Sequence, residues 1–382
     1  MKLKILGSSL EQLRDWFVFK GKKHFIASQV FEWVFKKGET EFSKMTNLSL
    51  EVRAQMAQEL EIGLLELVRV QESNDKETTK FLWKLADDRL VESVLIRSGD
   101  RRTVCVSSQV GCPARCAFCA SGREGLIRNL ETHEILAQVY QIDQWLKKEG
   151  EEVSHIVYMG MGEPFRNYDN VLASVRALIN PLMMGLSQRR ITVSTVGVVE
   201  GIHRFTEEGL KVNLVLSLHA PNQKLRQKII PYAREYALET ILDAMWHFAE
   251  VTGRDITFEY TLLKGINDGE EQAKELALLL KNKQCTVNLI PYNPVEGLRL
   301  ERPATQAITL FREILDKAKV INTCRYTKGD DIAAACGQLA MQELNLKTAV
   351  GDAESTQPFE PVSLAIEGAF TVSRLKILQD AI

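Results

Sequence analysis

From Thr103 onward, segments of strand character alternate with segments of helical periodicity, and this succession restricts the fold more than any other feature. The expected strands are Thr103–Ser107, His155–Met159, Ile191–Ser194, Val212–Leu218, Asp255–Tyr260 and Thr286–Ile290. Helical spacing of apolar residues covers Thr132–Lys148, Tyr168–Leu178, Leu238–Val251, Gly269–Lys281 and Ala304–Lys319. Repeated strand–helix units predict a parallel sheet covered by helices. Six such units suit an α/β fold, a partial (β/α)6 barrel over residues 96–342. Functional residues then belong on the loops leaving the C-terminal strand ends.

Residues 1–95 read as a separate, mostly helical accessory module. Leu10–Phe19 and Ala27–Lys36 carry helical periodicity, and Trp16, Phe17, Phe31, Trp33 and Phe35 on them read as core. A hairpin follows, with Thr79–Leu85 and Leu90–Ile96 flanking a turn at Asp87-Asp88. Residues 343–382 lose the pattern and form an extension of no assigned role. A hydrophobic content of 45% and a charged content of 26% exclude a disordered chain. No apolar stretch approaches the length of a membrane helix, and Met1-Lys-Leu-Lys leads into no signal-peptide core. The expectation is a cytoplasmic protein. The net charge of −2 points to no polyanion, but the first 50 residues hold nine Lys/Arg against five Asp/Glu. That local excess is compatible with RNA approaching the N-terminal module, and equally with a solvated helical face.

Seven cysteines, odd in number and unevenly spaced, read as metal ligands or reactive thiols before they read as disulfides. Cys112-Pro-Ala-Arg-Cys116-Ala-Phe-Cys119 follows the first barrel strand. Structural zinc normally takes a fourth ligand in a compact pattern, and the nearest candidate, His133, has no such spacing. A [4Fe–4S] cluster held by three thiolates keeps one iron open to chelate the amino and carboxylate groups of S-adenosylmethionine (SAM). Phe118 either shields that site or packs as ordinary core.

Four further segments end predicted strands: Met159-Gly-Met-Gly-Glu163-Pro164, Ser194-Thr-Val-Gly197, Ser217-Leu-His219-Ala-Pro221 and Ile290-Pro-Tyr-Asn293-Pro294. Taken singly, each reads as a turn with satisfied polar groups. Behind a three-cysteine loop, at equivalent strand ends, together they read as a SAM pocket. Gly160 and Gly162 would allow close backbone approach, and Glu163 would receive the methionine ammonium.

Cys105-Val-Ser-Ser-Gln-Val-Gly-Cys112, Gly160-Met-Gly-Glu-Pro164, Val193-Ser-Thr-Val-Gly-Val-Val199, Ser217-Leu-His-Ala-Pro221 and Gly329-Asp-Asp-Ile-Ala-Ala-Ala-Cys-Gly-Gln-Leu339 resemble the RlmN/Cfr family. These are radical SAM adenine methyltransferases of 23S rRNA, and the resemblance extends to about residue 340. It implies a [4Fe–4S] cluster on Cys112, Cys116 and Cys119. Contacts to SAM, used twice per turnover, would come from Gly162, Glu163, Ser194, Ser217, Leu218, His219 and Asn293. Cys336 would be S-methylated, Cys105 would resolve the covalent RNA adduct, and Glu92 would accept the ring proton. By residue type alone, Cys336 reads as a buried core cysteine and Glu92 as a surface residue; only the resemblance assigns them chemistry.

The chemistry needs two thiols beyond the cluster ligands, the roles the resemblance gives to Cys336 and Cys105. Adenine C2 and C8 are not nucleophilic, so direct methyl transfer from SAM fails there. A thiolate can take the methyl group, and a 5′-deoxyadenosyl radical from a second SAM then removes one of its hydrogens. The carbon radical adds to the base, and attack by the second thiol frees the product and leaves a Cys105–Cys336 disulfide. The motifs look more like the C2-methylating group than the C8-methylating, antibiotic-resistance group. The implied partners are 23S rRNA, tRNA, and an electron donor such as flavodoxin or ferredoxin, with the enzyme a monomer. A radical SAM activating or sulfur-inserting enzyme would lack the Cys105/Cys336 pair or carry further cysteine clusters, and a zinc-dependent RNA-binding protein would hold no iron.

Overall fold

Local signals set the N-terminal helices. Ser9 caps α1 (Leu10–Phe19) with a reciprocal box: Gln12 N–H donates to the Ser9 hydroxyl at 3.1 Å, and Ser9 N–H to the Gln12 side chain at 2.8 Å. α2 (Ile26–Phe31) widens into a π turn over Glu32–Lys36 that buries Val34 and Phe35. α3 (Leu50–Glu59) is capped by Ser49. Phe17, Phe31 and Phe35 are buried, with Trp16 and Trp33 half-buried against them, so these aromatics are core. Short strands β1 (Leu3–Lys4) and β2 (Leu60–Glu61) pair in parallel and close the module.

A ten-stranded sheet carries the rest. Its antiparallel part is β3 (Glu66–Glu72), β4 (Thr78–Lys84) and β5 (Leu90–Ser98), with Asp88 left-handed in the expected turn. β6 (Arg101–Cys105) is the junction, antiparallel to β5 and parallel to a later strand. A small hairpin, β7 (Gln109–Gly111) and β8 (Leu126–Asn129), stands apart. The parallel part continues through β9 (His155–Tyr158), β10 (Ile191–Thr195), β11 (Asn213–Ser217), β12 (Ile256–Leu262), β13 (Cys285–Pro291) and β14 (Ile321–Cys324). The connections hold α4 (Thr132–Lys147), α5 (Tyr168–Ile179), α6 (Val199–Glu207), α7 (Gln223–Ile229), α8 (Leu238–Thr252), α9 (Glu270–Leu279) and α10 (Thr305–Lys317). This computed structural model describes residues 2–325 and 328–339. The extension at 343–382 lies outside the described residues.

The partial barrel agrees with the expectation, and β14 adds a strand beyond the six. Its four residues alternate between exposed and half-buried positions, so it carries no apolar signal. The 95/96 boundary falls inside β5, because the hairpin belongs to the same sheet as the barrel.

Period-two alternation decides which side chains face the barrel interior. Val104, Ile156, Val193, Leu216, Phe258 and Leu289 lie on the helix-covered face, all fully buried. Ring contacts such as Trp246–Phe258 and Tyr260–Phe311 join strands to helices there. The opposite face carries Cys105, Ser194, Ser217, Glu259 and Asn288 in registered neighbours. The register Lys80↔Val94↔Cys105 adds Lys80 to that face, and with it Glu92, two residues before Val94.

Candidate active site

The cysteine loop spans β7 and β8. Cys112 N–H donates to Gly125 O at 3.0 Å and Cys119 N–H to Cys116 O at 3.1 Å, which folds the three thiols toward one another. They lie in an apolar pocket with Ala114, Phe118, Ala220, Ile230 and Tyr292. Burial pushes the Cys112 thiol up to about 12, and raises Cys116 and Cys119 as well; neighbouring thiols of the set add to the rise at Cys112 and Cys116. Phe118 packs edge-on against His219, ring centroids 4.8 Å apart, so it belongs to this pocket. His133 is elsewhere, hydrogen-bonded to Lys4 Nζ at 2.9 Å.

The strand ends converge on the same pocket. Gly162 has φ +110°, and a Cβ there would lie 2.7 Å from Gln109 Cβ and Ser108 Oγ. The close approach expected of this glycine is thus made to the protein's own 108–109 segment. Glu163 is buried, and its carboxylate accepts from Val196 N–H at 2.7 Å and Phe165 N–H at 3.0 Å. Burial nevertheless pushes its carboxyl up to about 7. Ser194 and Ser217 hydroxyls face each other at 3.3 Å. The Leu218 side chain is fully buried, and its N–H donates to Glu259 O at 3.0 Å. His219 is left-handed at φ +55° and accepts at Nδ1 from Thr261 N–H at 2.9 Å, which leaves the ring proton on Nε2. Burial, then the Arg226 charge, hold its pKa down to about 3, so the ring is neutral. Asn293 Nδ2 donates to Cys336 O at 3.2 Å.

That last bond leads to the segment 328–339, which crosses the barrel mouth as a strap. Ala120 N–H donates to Gly337 O at 2.7 Å and Ser121 Oγ to Leu339 O at 2.7 Å, joining the strap to the cysteine loop. Lys80 Nζ donates to Ala333 O at 3.4 Å, and Asn74 N–H to Asp331 at 2.8 Å, joining it to the β3–β4 hairpin. Cys336 keeps solvent-accessible surface inside the mouth, so it is not the core cysteine its sequence context suggests. Surrounding protein still raises its thiol pKa, with Arg325 opposing. Cys105 lies close enough to respond to it: burial, then Cys336, push the Cys105 thiol up to about 12. Glu92 is 6% exposed and ion-paired with Lys80 at 3.1 Å, so it is no surface residue.

Lys80, Arg226, Glu259 and Arg325 escape the sequence reading. Lys80 sits in Thr-Thr-Lys-Phe-Leu-Trp-Lys, where only strand register reveals its face. Arg226 occupies a helix otherwise rich in exposed polar residues, yet it is fully buried with Nη1 unpartnered. A buried guanidinium with an idle Nη1 near the Cys116 thiol fits a bound anionic iron–sulfur group, because metal binding removes thiol protons. Among the described residues no three His, Cys, Asp or Glu side chains converge on a point for one metal ion. Among the described residues, too, no helix is long and apolar enough to cross a membrane.

Comparison with known proteins agrees with this geometry. Residues 3–62 match the ribosomal RNA large subunit methyltransferase N-terminal domain, and residues 106–277 match the radical SAM superfamily, whose members use a [4Fe–4S] cluster and SAM. A probable dual-specificity RNA methyltransferase RlmN 2 of Protochlamydia amoebophila is 62% identical over 333 residues, 87% of this chain and 93% of that protein. A probable dual-specificity RNA methyltransferase RlmN of Fervidobacterium nodosum is 44% identical, covering 91% of this chain and 100% of that one. The crystal structure of a radical SAM methyltransferase from Sphaerobacter thermophilus superposes with a TM-score of 0.86 at 40% identity, over 88% of this chain and 99% of that one. A partial barrel with a three-cysteine loop, an RlmN-type N-terminal module and relatives this similar along their length make the chain a member of the RlmN family of radical SAM RNA methyltransferases.

Proposed function

We propose that this enzyme methylates C2 of an adenine in 23S rRNA, and of an adenine in tRNA, with Cys336 as methyl carrier. The observation that carries the reading is the strap, which holds Cys336 beside Cys105 although the two lie more than two hundred positions apart in the chain. Relatives named dual-specificity RNA methyltransferases support two RNA classes. Cys112, Cys116 and Cys119 hold the [4Fe–4S] cluster. Gly162, Glu163, Ser194, Ser217, Leu218, His219 and Asn293 contact SAM, two molecules of which serve each turnover. When bound, the reduced cluster supplies the electron that cleaves one SAM to a 5′-deoxyadenosyl radical.

The chain's own residues do the rest. Cys336 gives up its proton and displaces the methyl group from the other SAM, forming an S–CH3 bond and releasing S-adenosylhomocysteine. Glu92, with Lys80 as counter-charge, accepts the ring proton. Cys105, its thiol proton given up, then attacks the Cys336 sulfur; an S–S bond forms, the S–C bond of the RNA adduct breaks, and the departing carbon keeps the electron pair and takes up a proton to become the methyl group. Neutral His219 offers an Nε2–H donor without adding charge to the pocket. Residues 1–95 serve as the RNA-docking module. Its lysines are partly engaged, Lys20 with Glu59 and Lys22 with Glu51, both at 2.5 Å, while Phe19 and Phe25 are exposed beside Lys20 and Lys23.

Two measurements test the reading. Mass spectrometry of digested RNA should reveal 2-methyladenosine; 8-methyladenosine alone would give the C8 reaction instead. The Cys105→Ala protein should purify joined to RNA through a nuclease-trimmed, denaturant-resistant adduct, and Cys336→Ala should not. A Cys105→Ala enzyme that is fully active and free of RNA would sink the covalent route.

A further inference from the structure

Arg226 lies on α7, directly after the Ser217–Pro221 loop, and is 0% exposed. Its Nε donates to Leu218 O at 3.1 Å, and its Nη2 to Val196 O at 2.6 Å and Ser217 O at 3.1 Å. Those three carbonyls belong to the C-terminal ends of β10 and β11. Nη1 has no acceptor, and among the described residues no carboxylate forms an ion pair with the guanidinium. Burying a guanidinium without a counter-charge is strongly unfavourable, and arginine does not escape by losing its proton. A buried cation with an idle donor therefore implies an anion.

Two ionisable groups are near enough to act on Arg226, the Cys116 thiol and the Glu163 carboxyl. Both Glu163 oxygens already accept backbone N–H groups from Val196 and Phe165. Cys116 belongs to a loop fastened to α7 itself, since Ala117 N–H donates to Ile229 O at 2.8 Å. The helix that carries Arg226 and the loop that carries Cys116 are thus one unit. With three thiolates the oxidised cluster is anionic, and each added electron makes it more so. A fixed cation with a free N–H at its edge stabilises the reduced form, because net charge and hydrogen bonds to sulfur set cluster potentials.

We propose that Arg226 is the charge-compensating residue of the iron–sulfur cluster, donating from Nη1 to the Cys116 thiolate or an adjacent sulfide and favouring the one-electron-reduced state. The proposal rests on Cys112, Cys116 and Cys119 being the cluster ligands. The test compares wild type, Arg226→Met and Arg226→Lys, each reconstituted anaerobically to equal iron and sulfide. Each is titrated with dithionite against redox mediators, without SAM, and the reduced cluster is followed by electron paramagnetic resonance. The midpoint potential should shift negative in Arg226→Met and by a smaller amount in Arg226→Lys, which keeps the charge but loses the planar fork. An unchanged potential in Arg226→Met overturns the proposal. So does a variant that keeps its potential but loses SAM affinity, since Nη1 then serves the SAM carboxylate.

Arg226→Met also deprives three carbonyls of their donors, so a second measurement uses protein that folds. Wild type labelled with 15N-arginine should give a guanidinium nitrogen coupling in pulsed resonance of the reduced cluster, absent from Arg226→Lys. No such coupling in wild type overturns the proposal equally. If the triple cysteine variant kept its cluster, the ligand assignment would fall. A normal loss of iron there, with an unshifted Arg226→Met potential, would remove the arginine's role alone.

Discussion

The cysteine loop and the strap each bring thiol chemistry to the barrel mouth, but by opposite means. The loop gathers three thiols within the run Cys112–Cys119, shaped by its own hairpin, where Gly111 is left-handed and an added Cβ would lie 2.0 Å from Gly125 O. The strap brings one thiol, in a stretch of alanines and glycine that has a short 3-10 turn at Asp330–Ile332 and a few internal bonds, such as Gln338 to Asp330. Its position is borrowed from Asn74, Lys80, Ala120, Ser121 and Asn293, which belong to distant parts of the chain. The difference is one of robustness. A locally built set of thiols survives small changes elsewhere, whereas a tertiary strap depends on each residue that holds it.

The largest effect should come from removing the loop's own chemistry. Cys112, Cys116 and Cys119 replaced together by Ala should abolish bound iron, visible absorbance after anaerobic reconstitution, and detectable methylation. Full iron content in that variant would break the comparison at its root, because the thiolates would not be ligands.

Next comes the strap's deepest anchor. Lys80 and Glu92 have side chains only 4% and 7% exposed, and their ion pair lies under Ala333. Lys80→Met removes a buried charged partner of Glu92 beside the barrel interior and should lower unfolding free energy by about 1–3 kcal/mol. Replacing both partners, Lys80→Met with Glu92→Leu, should restore most of that stability while leaving methylation absent. Chemical denaturation of the two variants decides this. A loss under about 1 kcal/mol in the single variant would mean that the pair is not needed to hold this end of the sheet.

The smallest effect probes the seam between the regions. Ser121→Ala removes one hydrogen bond to Leu339 O and should lower stability by about 1 kcal/mol with iron content unchanged. Calorimetry and iron analysis of the same preparation are sufficient. Loss of iron there would show that loop and strap are one cooperative unit.

Much of this molecule is written in local pattern. Strand–helix alternation marks the barrel because apolar residues at period two and period 3.6 must bury one face each. The predicted strands and helices agree with the observed ones within a few residues, from Ile191–Thr195 to Thr305–Lys317. CxxxCxxC spacing is legible for the same reason: ligands close in sequence are close in space whatever surrounds them. Assigning chemistry to Cys105, Glu92 and Cys336 rests on resemblance to a family, since no local rule distinguishes a thiol in Ala-Ala-Ala-Cys-Gly from core. Tertiary structure alone decided that Glu92 is buried against Lys80, that Cys336 opens into the barrel mouth, and that the buried Arg226 has an Nη1 with no acceptor among the described residues. Each of these depends on strand register or on a crossing between distant segments. A side chain's partners across a sheet are set by the packing of the whole chain, and no window of sequence contains them.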